Sequence, residues 1–289
     1  MDCLRAGPIL LPELGLGTWR LKGEAAQKAV ESALALGYRH IDTAEMYGNE
    51  EAVGAALAAS GVPRKEIHLT SKVWWSNLEP AAIRRAIAAS LGKLRTDYLD
   101  LYLIHWPAPG MDLPAALGAM MRLGEEGLAR AIGVANFPTT LLQVAVDEIG
   151  APIACDQVEY HALLGQSKLI AYARARGIPI IAYCPLAQGR LATNATLAEI
   201  GAKHGTSAAA VALAWLLGQE GVAAIPKSAR PEGQKANLAA CNLALDAADL
   251  AAIAALPKNV RCVSPSFAPA WDPPDLPADA GLRAPPGFR

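Results

Sequence analysis

Charge of one sign is nowhere in surplus in this chain. Twenty-six lysines and arginines face 27 aspartates and glutamates, for a formal net charge of −1. That balance leaves no basic footprint for nucleic acid and no acidic tract. Long hydrophobic runs are missing as well. Hydrophobic residues make up 53% of the sequence, but charges and glycines break them well short of the ~18 consecutive apolar residues a spanning helix needs. Cysteine is sparse and unpatterned. Cys3, Cys155, Cys184, Cys241 and Cys262 are odd in number and never in Cys-x-x-Cys spacing, which excludes a disulfide framework and a structural zinc site. No secretory leader is read at the N-terminus, where Asp2 and Arg5 give way at once to Gly7-Pro8. The expectation is a soluble cytoplasmic protein with free thiols, no metal, and no nucleic-acid or membrane partner.

A dinucleotide fingerprint is lacking too. Leu14-Gly15-Leu16-Gly17-Thr18-Trp19 offers two glycines, but Arg20 stands at the place of the third, so a Rossmann crevice is rejected. The segment reads instead as a strand ending in a glycine loop.

What is present is alternation. Gly37 closes an apolar-periodic helix (24–36) as a C-cap glycine does. A short strand around Ile41 follows, then a turn near Ala44 and a helix over 50–60. Further strands are read at 67–73, 98–105, 131–135, 154–159, 178–183 and 222–225. Helices are read between them at 79–91, 114–126, 139–149, 167–176 and 207–218. With the strands near Gly15 and Ile41, that makes eight βα units in about 250 residues, the arithmetic of an α/β fold closed as a (β/α)8 TIM barrel. The short apolar strands suit a parallel sheet covered on both faces. The alternative, a doubly wound open sheet, would need a phosphate loop that the sequence does not supply. From Lys258 the pattern stops. The barrel is assigned to 1–257, and 258–289 is read as an arm laid over it, carrying Pro265, Pro269, Pro273, Pro274, Pro277, Pro285 and Pro286 with Phe267, Trp271 and Phe288 as its aromatics.

In a barrel, chemistry gathers at the C-terminal strand ends. The polar residues there are Asp42, with Tyr47 just beyond, Lys72, His105, Asn136, Gln157 and Glu159, Tyr183, and Lys227 with Ser228. Taken singly, each has an ordinary structural reading: Asp42 as a helix cap, Lys72 as a solvated cation, His105 as a satisfied core residue. Their convergence on one face is what argues for a site.

Five spaced motifs then resemble the aldo-keto reductase family: Gly-Tyr-Arg-His-Ile-Asp-Thr-Ala with Tyr47 (37–47), Thr-Ser-Lys-Val-Trp (70–74), Asp-Leu-Tyr-Leu-Ile-His-Trp-Pro (100–107), Gly-Val-Ala-Asn-Phe (133–137) and Ile-Pro-Lys-Ser (225–228). The resemblance implies carbonyl reduction with NADPH by a catalytic Asp42, Tyr47, Lys72 and His105. It also implies a cofactor site of Gly17, Thr18, Asp42, Asn136, Gln157, Tyr183, Leu186, Gln188, Lys227, Ser228, Arg230 and Asn237. The physics is consistent with those roles. A tyrosine, with an ordinary pKa of about 10, holds a proton to give, and a Lys72 ammonium is expected to lower that pKa. Asp42 would keep the lysine charged, and His105 would hydrogen-bond the carbonyl oxygen. Tyr183 offers a stacking face, Asn136 and Gln157 offer amides, and Lys227 and Ser228 offer a cation and a hydroxyl for a 2′-phosphate. Trp19, Tyr47, Trp74, His105 and Trp106 are expected to wall a cleft for a small-molecule carbonyl substrate.

Three departures stand out. Ala135 and Cys184 occupy places where similar sequences often have serine, and Gly233 stands where many have the phosphate-binding arginine. Two outcomes are open at this position: Arg230 substitutes for that arginine, or NADH is tolerated beside NADPH. The short link from His105 to the helix at Pro114 implies a cleft lacking one wall. A monomer is expected. The rival readings are a non-catalytic NADP(H)-binding sensor or accessory subunit on the same barrel, and an aldolase using Lys72 as a Schiff base.

Overall fold

The computed structural model describes residues 2–273 and 275; Pro274, Pro277, Pro285, Pro286 and Phe288 of the tail lie outside the described residues. An antiparallel hairpin comes first, β1 (Cys3–Ala6) and β2 (Ile9–Pro12). Eight parallel strands follow: β3 (Leu16–Gly17), β4 (His40–Asp42), β5 (His68–Val73), β6 (Leu99–Ile104), β7 (Ala129–Ala135), β8 (Ile153–Glu159), β9 (Ile180–Tyr183) and β10 (Val222–Ala224). The helices between and after them are α1 (Gly23–Ala35), α2 (Glu50–Ala59), α3 (Pro80–Leu94), α4 (Leu113–Glu125), α5 (Thr139–Gln143), α6 (Ser167–Arg174), α7 (Ala195–Lys203), α8 (Ala208–Leu217), α9 (Pro231–Ala239) and α10 (Ala247–Ala254). Among the described residues, no single helix is long and apolar enough to cross a membrane.

Each strand of the large sheet pairs with the next in sequence, and the ring closes where Leu14 bridges Ala224. There Ala224 N donates to Glu13 O (2.7 Å) and Gly15 N donates to Ala224 O (2.9 Å). This closure explains the two glycines. A Cβ at Gly17 would lie 2.6 Å from the Ile225 carbonyl oxygen, and one at Gly15 would lie 2.6 Å from His40 Nδ1. Only backbone fits between the first strand and the last, so the G-x-G reports packing.

Strands β5 and β6 are buried along their whole length, as strands covered by helices outside and side chains inside must be. The interior is filled by Leu101, Leu103, Ala131, Ala135, Ala154, Cys155, Ile181 and Ala223, joined by Leu4, Ala6 and Leu11 of the hairpin. Reading the sequence did not find that hairpin. Its signal is Gly7 at φ +57°, the positive φ that a two-residue β-turn requires. Helices α7 and α10 were also unread, although Asn194 caps the first and an Asp246–Asp249 capping box opens the second. The helix expected over 139–149 is not continuous. It relaxes into a π turn at Val144–Glu148.

Below the sheet, His40 Nδ1 faces Pro12 O at 3.4 Å, and the His68 ring meets His40 edge-on at 4.6 Å. Burial pushes His40 down to about 4. Burial also pulls His68 well below the usual histidine range, with His40 adding to the effect. Both folded-state values lie under the unfolded value of about 6.5, so this stability is present above that pH and is lost as pH falls from there toward 4. His40 alone accounts for roughly 2 kcal/mol lost by about pH 5. Urea unfolding at about pH 7 and about pH 5 should show that drop in the wild type, and His40→Gln should show a smaller one.

Candidate active site

The register carries one polar residue after another to the same rim: Gly17 pairs with Asp42, Lys72 with Leu103, Ala135 with Gln157, and Glu159 with Tyr183. Asp42 ends β4 with its carboxylate buried. One oxygen accepts from Lys72 Nζ at 2.5 Å and the other from Gln157 Nε2 at 2.7 Å. Lys72 is fully buried, and its ammonium also donates to Thr43 O at 2.8 Å. Burial pulls this lysine below its ordinary range, while the Asp42 carboxylate props it up. Neither residue has the bland role open to it in sequence. Asp42 caps no helix and Lys72 meets no solvent.

Tyr47 closes the short 3₁₀ turn Glu45–Tyr47, held from behind by Gly48 at φ +61°. The Lys72 ammonium lies 5.1 Å from the centre of its ring. The expectation that Lys72 lowers the Tyr47 pKa is not met. Burial pushes the phenol well above its ordinary value, and Asp42 and Cys184 add to the rise. The physical reason is first the loss of water around a buried phenolate, and then Asp42, which in contact with Lys72 offsets the ammonium field that the phenol would otherwise feel.

His105 follows β6 and sets its ring edge-on to Tyr47 (5.5 Å) and to Trp74 (5.2 Å). Its Nδ1 has no hydrogen-bond partner among the described residues. Burial, and then the Lys72 charge, hold the ring well below the usual histidine range, so it is neutral at physiological pH. Asn136, at φ +64° after β7, donates to His105 O (2.9 Å) and accepts from the Tyr183 hydroxyl (2.7 Å). One bond therefore steadies the histidine loop and the other fixes the Tyr183 ring. Each of the two amides, Asn136 and Gln157, keeps a second N–H for a ligand.

These groups open on a cleft of about 450 Å³. Its wall contains Gly17, Thr18, Trp19, Asp42, Tyr47, His105, Trp106, Asn136, Gln157, Tyr183, Leu186, Gln188 and Lys227. It also contains residues not foreseen: Arg20, Met46, Cys184, Pro185, Ile225 and Val263. Lys72 lies beneath the floor. Trp74, Ser228, Arg230 and Asn237 are not part of the wall. Trp74 backs His105, Ser228 Oγ donates to Arg230 O (3.1 Å), and Asn237 is buried by Tyr38. Burial pushes the Cys184 thiol up to about 12, which makes it an unreactive wall residue.

The side expected to be open is occupied by the tail. Phe267 packs against Trp75 (4.9 Å), Trp106 (5.6 Å) and Trp74 (5.8 Å), and Trp271 meets Trp106 at 5.9 Å. The tail is clasped at the other end by Glu159, whose buried carboxylate accepts from Cys262 N (2.6 Å) and Val263 N (2.8 Å). His161 Nε2 lies 3.0 Å from the same carboxylate, and Cys262 Sγ lies nearby. This trio has ligand-like spacing, yet His161 Nδ1 accepts from Leu163 N at 3.2 Å. A neutral ring that accepts there carries its proton on Nε2, so that nitrogen is a donor to Glu159 with no lone pair for a metal.

The family model described as Aldo/keto reductase family matches residues 13–258. A protein of Escherichia coli O157:H7 named methylglyoxal reductase DkgB is 46% identical over 266 residues, covering 91% of this chain and 99% of that protein. An aldo-keto reductase of Mycobacterium sp. (strain KMS) is 40% identical over 252 residues, covering 87% and 91% of the two chains. A crystal structure described as a putative 2,5-diketo-D-gluconic acid reductase B superposes with a TM-score of 0.92 at 40% identity, covering 94% of this chain and 98% of the other.

Proposed function

The chain belongs to the aldo/keto reductase family, and from that premise we propose that it reduces the carbonyl of small aldehydes and ketones. In this proposal NADPH is the hydride donor, Tyr47 is the proton donor, and 2-oxoaldehydes of the methylglyoxal type are the first substrates to try. The observation that carries the reading is the convergence of Tyr47, His105 and the buried Lys72–Asp42 pair on one cleft. The cleft suits a dinucleotide. Tyr183 gives a ring face fixed by Asn136, two amides keep free N–H groups, and Lys227 stands exposed at one end. Bound there, the cofactor supplies the hydride.

The side chains do the rest. Neutral His105 presents an uncharged N–H donor to the substrate oxygen, which orients the carbonyl and polarises it. Tyr47, held protonated by burial, gives its proton to that oxygen as negative charge develops there. Lys72 and Asp42 form a neutral buried pair under the ring and fix the tyrosine against the histidine. Trp106, Trp19 and the Phe267 aromatic box keep water from the reacting centre and favour apolar or small substrates. The experiment is a panel of aldehydes, ketones and 2-oxoaldehydes followed at the nicotinamide absorbance. Carbonyl-dependent NADPH oxidation supports the proposal, and none across the panel refutes it.

Cofactor choice carries its own prediction. Ser228 is turned toward its own loop, Gly233 brings no guanidinium, and Arg230 is exposed at the N-cap of α9. Lys227 is then the principal contact for a 2′-phosphate, with Arg230 secondary. A charge-assisted contact is worth roughly 1.5–3 kcal/mol, or about tenfold to a hundredfold in affinity. Lys227→Ala should weaken NADPH by about that factor and leave NADH nearly unchanged, while Arg230→Ala should cost less. Tryptophan-fluorescence titration of both cofactors checks this, and equal losses for NADPH and NADH would contradict it.

A further inference from the structure

Asn49 occupies the N-cap position of α2, where an asparagine side chain ordinarily accepts from the first backbone N–H groups of the helix. Here it makes no such bond. The amide is instead turned inward, only 2% exposed, and all of its hydrogens are committed elsewhere. Nδ2 donates to Thr18 O (2.9 Å) and to Leu21 O (3.0 Å), and Oδ1 accepts from the Thr43 hydroxyl (2.7 Å).

Those partners belong to two functional segments. Thr18 and its neighbours form the cleft-lining loop after β3, and Thr18 N and Oγ1 both donate to Asp42 O (3.0 and 2.9 Å). Thr43 supplies the carbonyl that accepts from Lys72 Nζ, and Asp42 supplies the carboxylate. Both oxygen partners of the buried ammonium therefore sit on a segment that one amide ties to the cofactor-side loop. No other side chain of similar size serves. Aspartate would set a carboxylate against two carbonyl oxygens, alanine would take the side-chain donor from both and leave Thr18 O only the Leu21 N–H, and glutamine is one methylene too long.

We propose that Asn49 is a positioning residue that links the Gly17–Leu21 loop to Lys72, so that cofactor binding on that loop and the seating of the catalytic lysine depend on each other. This rests on the reading of Lys72 and Tyr47 as the reducing machinery. The test compares Asn49→Asp and Asn49→Ala with wild type, per folded molecule, for kcat, NADPH dissociation constant by fluorescence quenching, and the pH profile of kcat. Both variants should lose on the order of tenfold to a hundredfold in kcat and bind NADPH several-fold more weakly. Asn49→Asp should regain part of its kcat as pH falls, because a protonated carboxyl can again donate to one of the two carbonyls. Asn49→Ala should show no such recovery.

A lowered melting temperature with kcat, NADPH affinity and pH profile all as in wild type would reduce Asn49 to a structural residue and overturn the proposal. Should neither variant fold, Thr43→Val, which deletes only the hydroxyl that bonds the amide, is read in the same three ways against the same two outcomes. A wild-type protein that binds NADPH but reduces no carbonyl would instead count against the parent reading.

Discussion

Tyr47→Phe should leave NADPH binding intact and cut carbonyl reduction by on the order of 10²–10⁴-fold. The ring keeps its edge contact with His105 and its place above the Lys72 ammonium, so the change removes a proton and little else. The size of the loss follows from where that proton sits. Burial, Asp42 and Cys184 all raise the phenol, so Tyr47 is an acid that stays protonated across the neutral range. As the proposed donor it would give up the proton only to an oxygen far more basic than itself, such as the alkoxide that forms as a carbonyl is reduced. Reduction by the wild type should therefore be nearly flat with pH through the neutral range, with no fall attributable to loss of the Tyr47 proton. Near-normal turnover in Tyr47→Phe would remove the residue from the role of donor.

The second large effect is expected at Lys72, on rate and stability together. Lys72→Met keeps the length of the side chain but removes both the ammonium and its donation to Thr43 O. Asp42 is then left 1% exposed with Gln157 as its remaining side-chain donor. Breaking a buried pair from one side costs about 3–5 kcal/mol, because an uncompensated charge stays behind. Catalysis should fall as well, because the floor beneath Tyr47 is lost. The double variant Lys72→Met/Asp42→Asn separates the two losses. With no buried carboxylate left alone, it should recover much of the stability in urea unfolding while remaining poorly active. Recovery of both, or full activity in Lys72→Met with an unchanged pH profile, would show that the pair is not part of the machinery.

Which of this was legible in the sequence depended on the range of the interaction. Asp42, Lys72, His105, Asn136 and Gln157 were readable because a barrel sends each strand's last polar residue to one rim, and strand ends follow from local pattern. The sign of the Tyr47 shift was not readable, since it is decided first by burial of the phenol, which depends on how distant parts of the chain pack around it, and then by Asp42 and Cys184. Nothing in the local spacing marks Asn49, whose partners lie as far off as Thr18. Glu159 was visible as a polar strand end, but its role as the clasp of the tail depends on Cys262 and Val263, more than a hundred positions away. The hairpin β1–β2 escaped notice because its four-residue strands carry little pattern of their own; their burial comes from the barrel floor they cover.

The central claim, that this cleft transfers hydride to a carbonyl, is tested most directly by a single turnover. Protein in excess is loaded with NADPH, mixed rapidly with methylglyoxal, and followed at the nicotinamide absorbance while the alcohol is quantified. The account predicts complete decay of the absorbance with one alcohol formed per cofactor oxidised, and a strongly slowed decay in Tyr47→Phe. Quenching of tryptophan fluorescence by NADPH, with no decay on mixing with methylglyoxal or with any other carbonyl of the panel, would contradict it and identify a cofactor-binding protein that does not reduce.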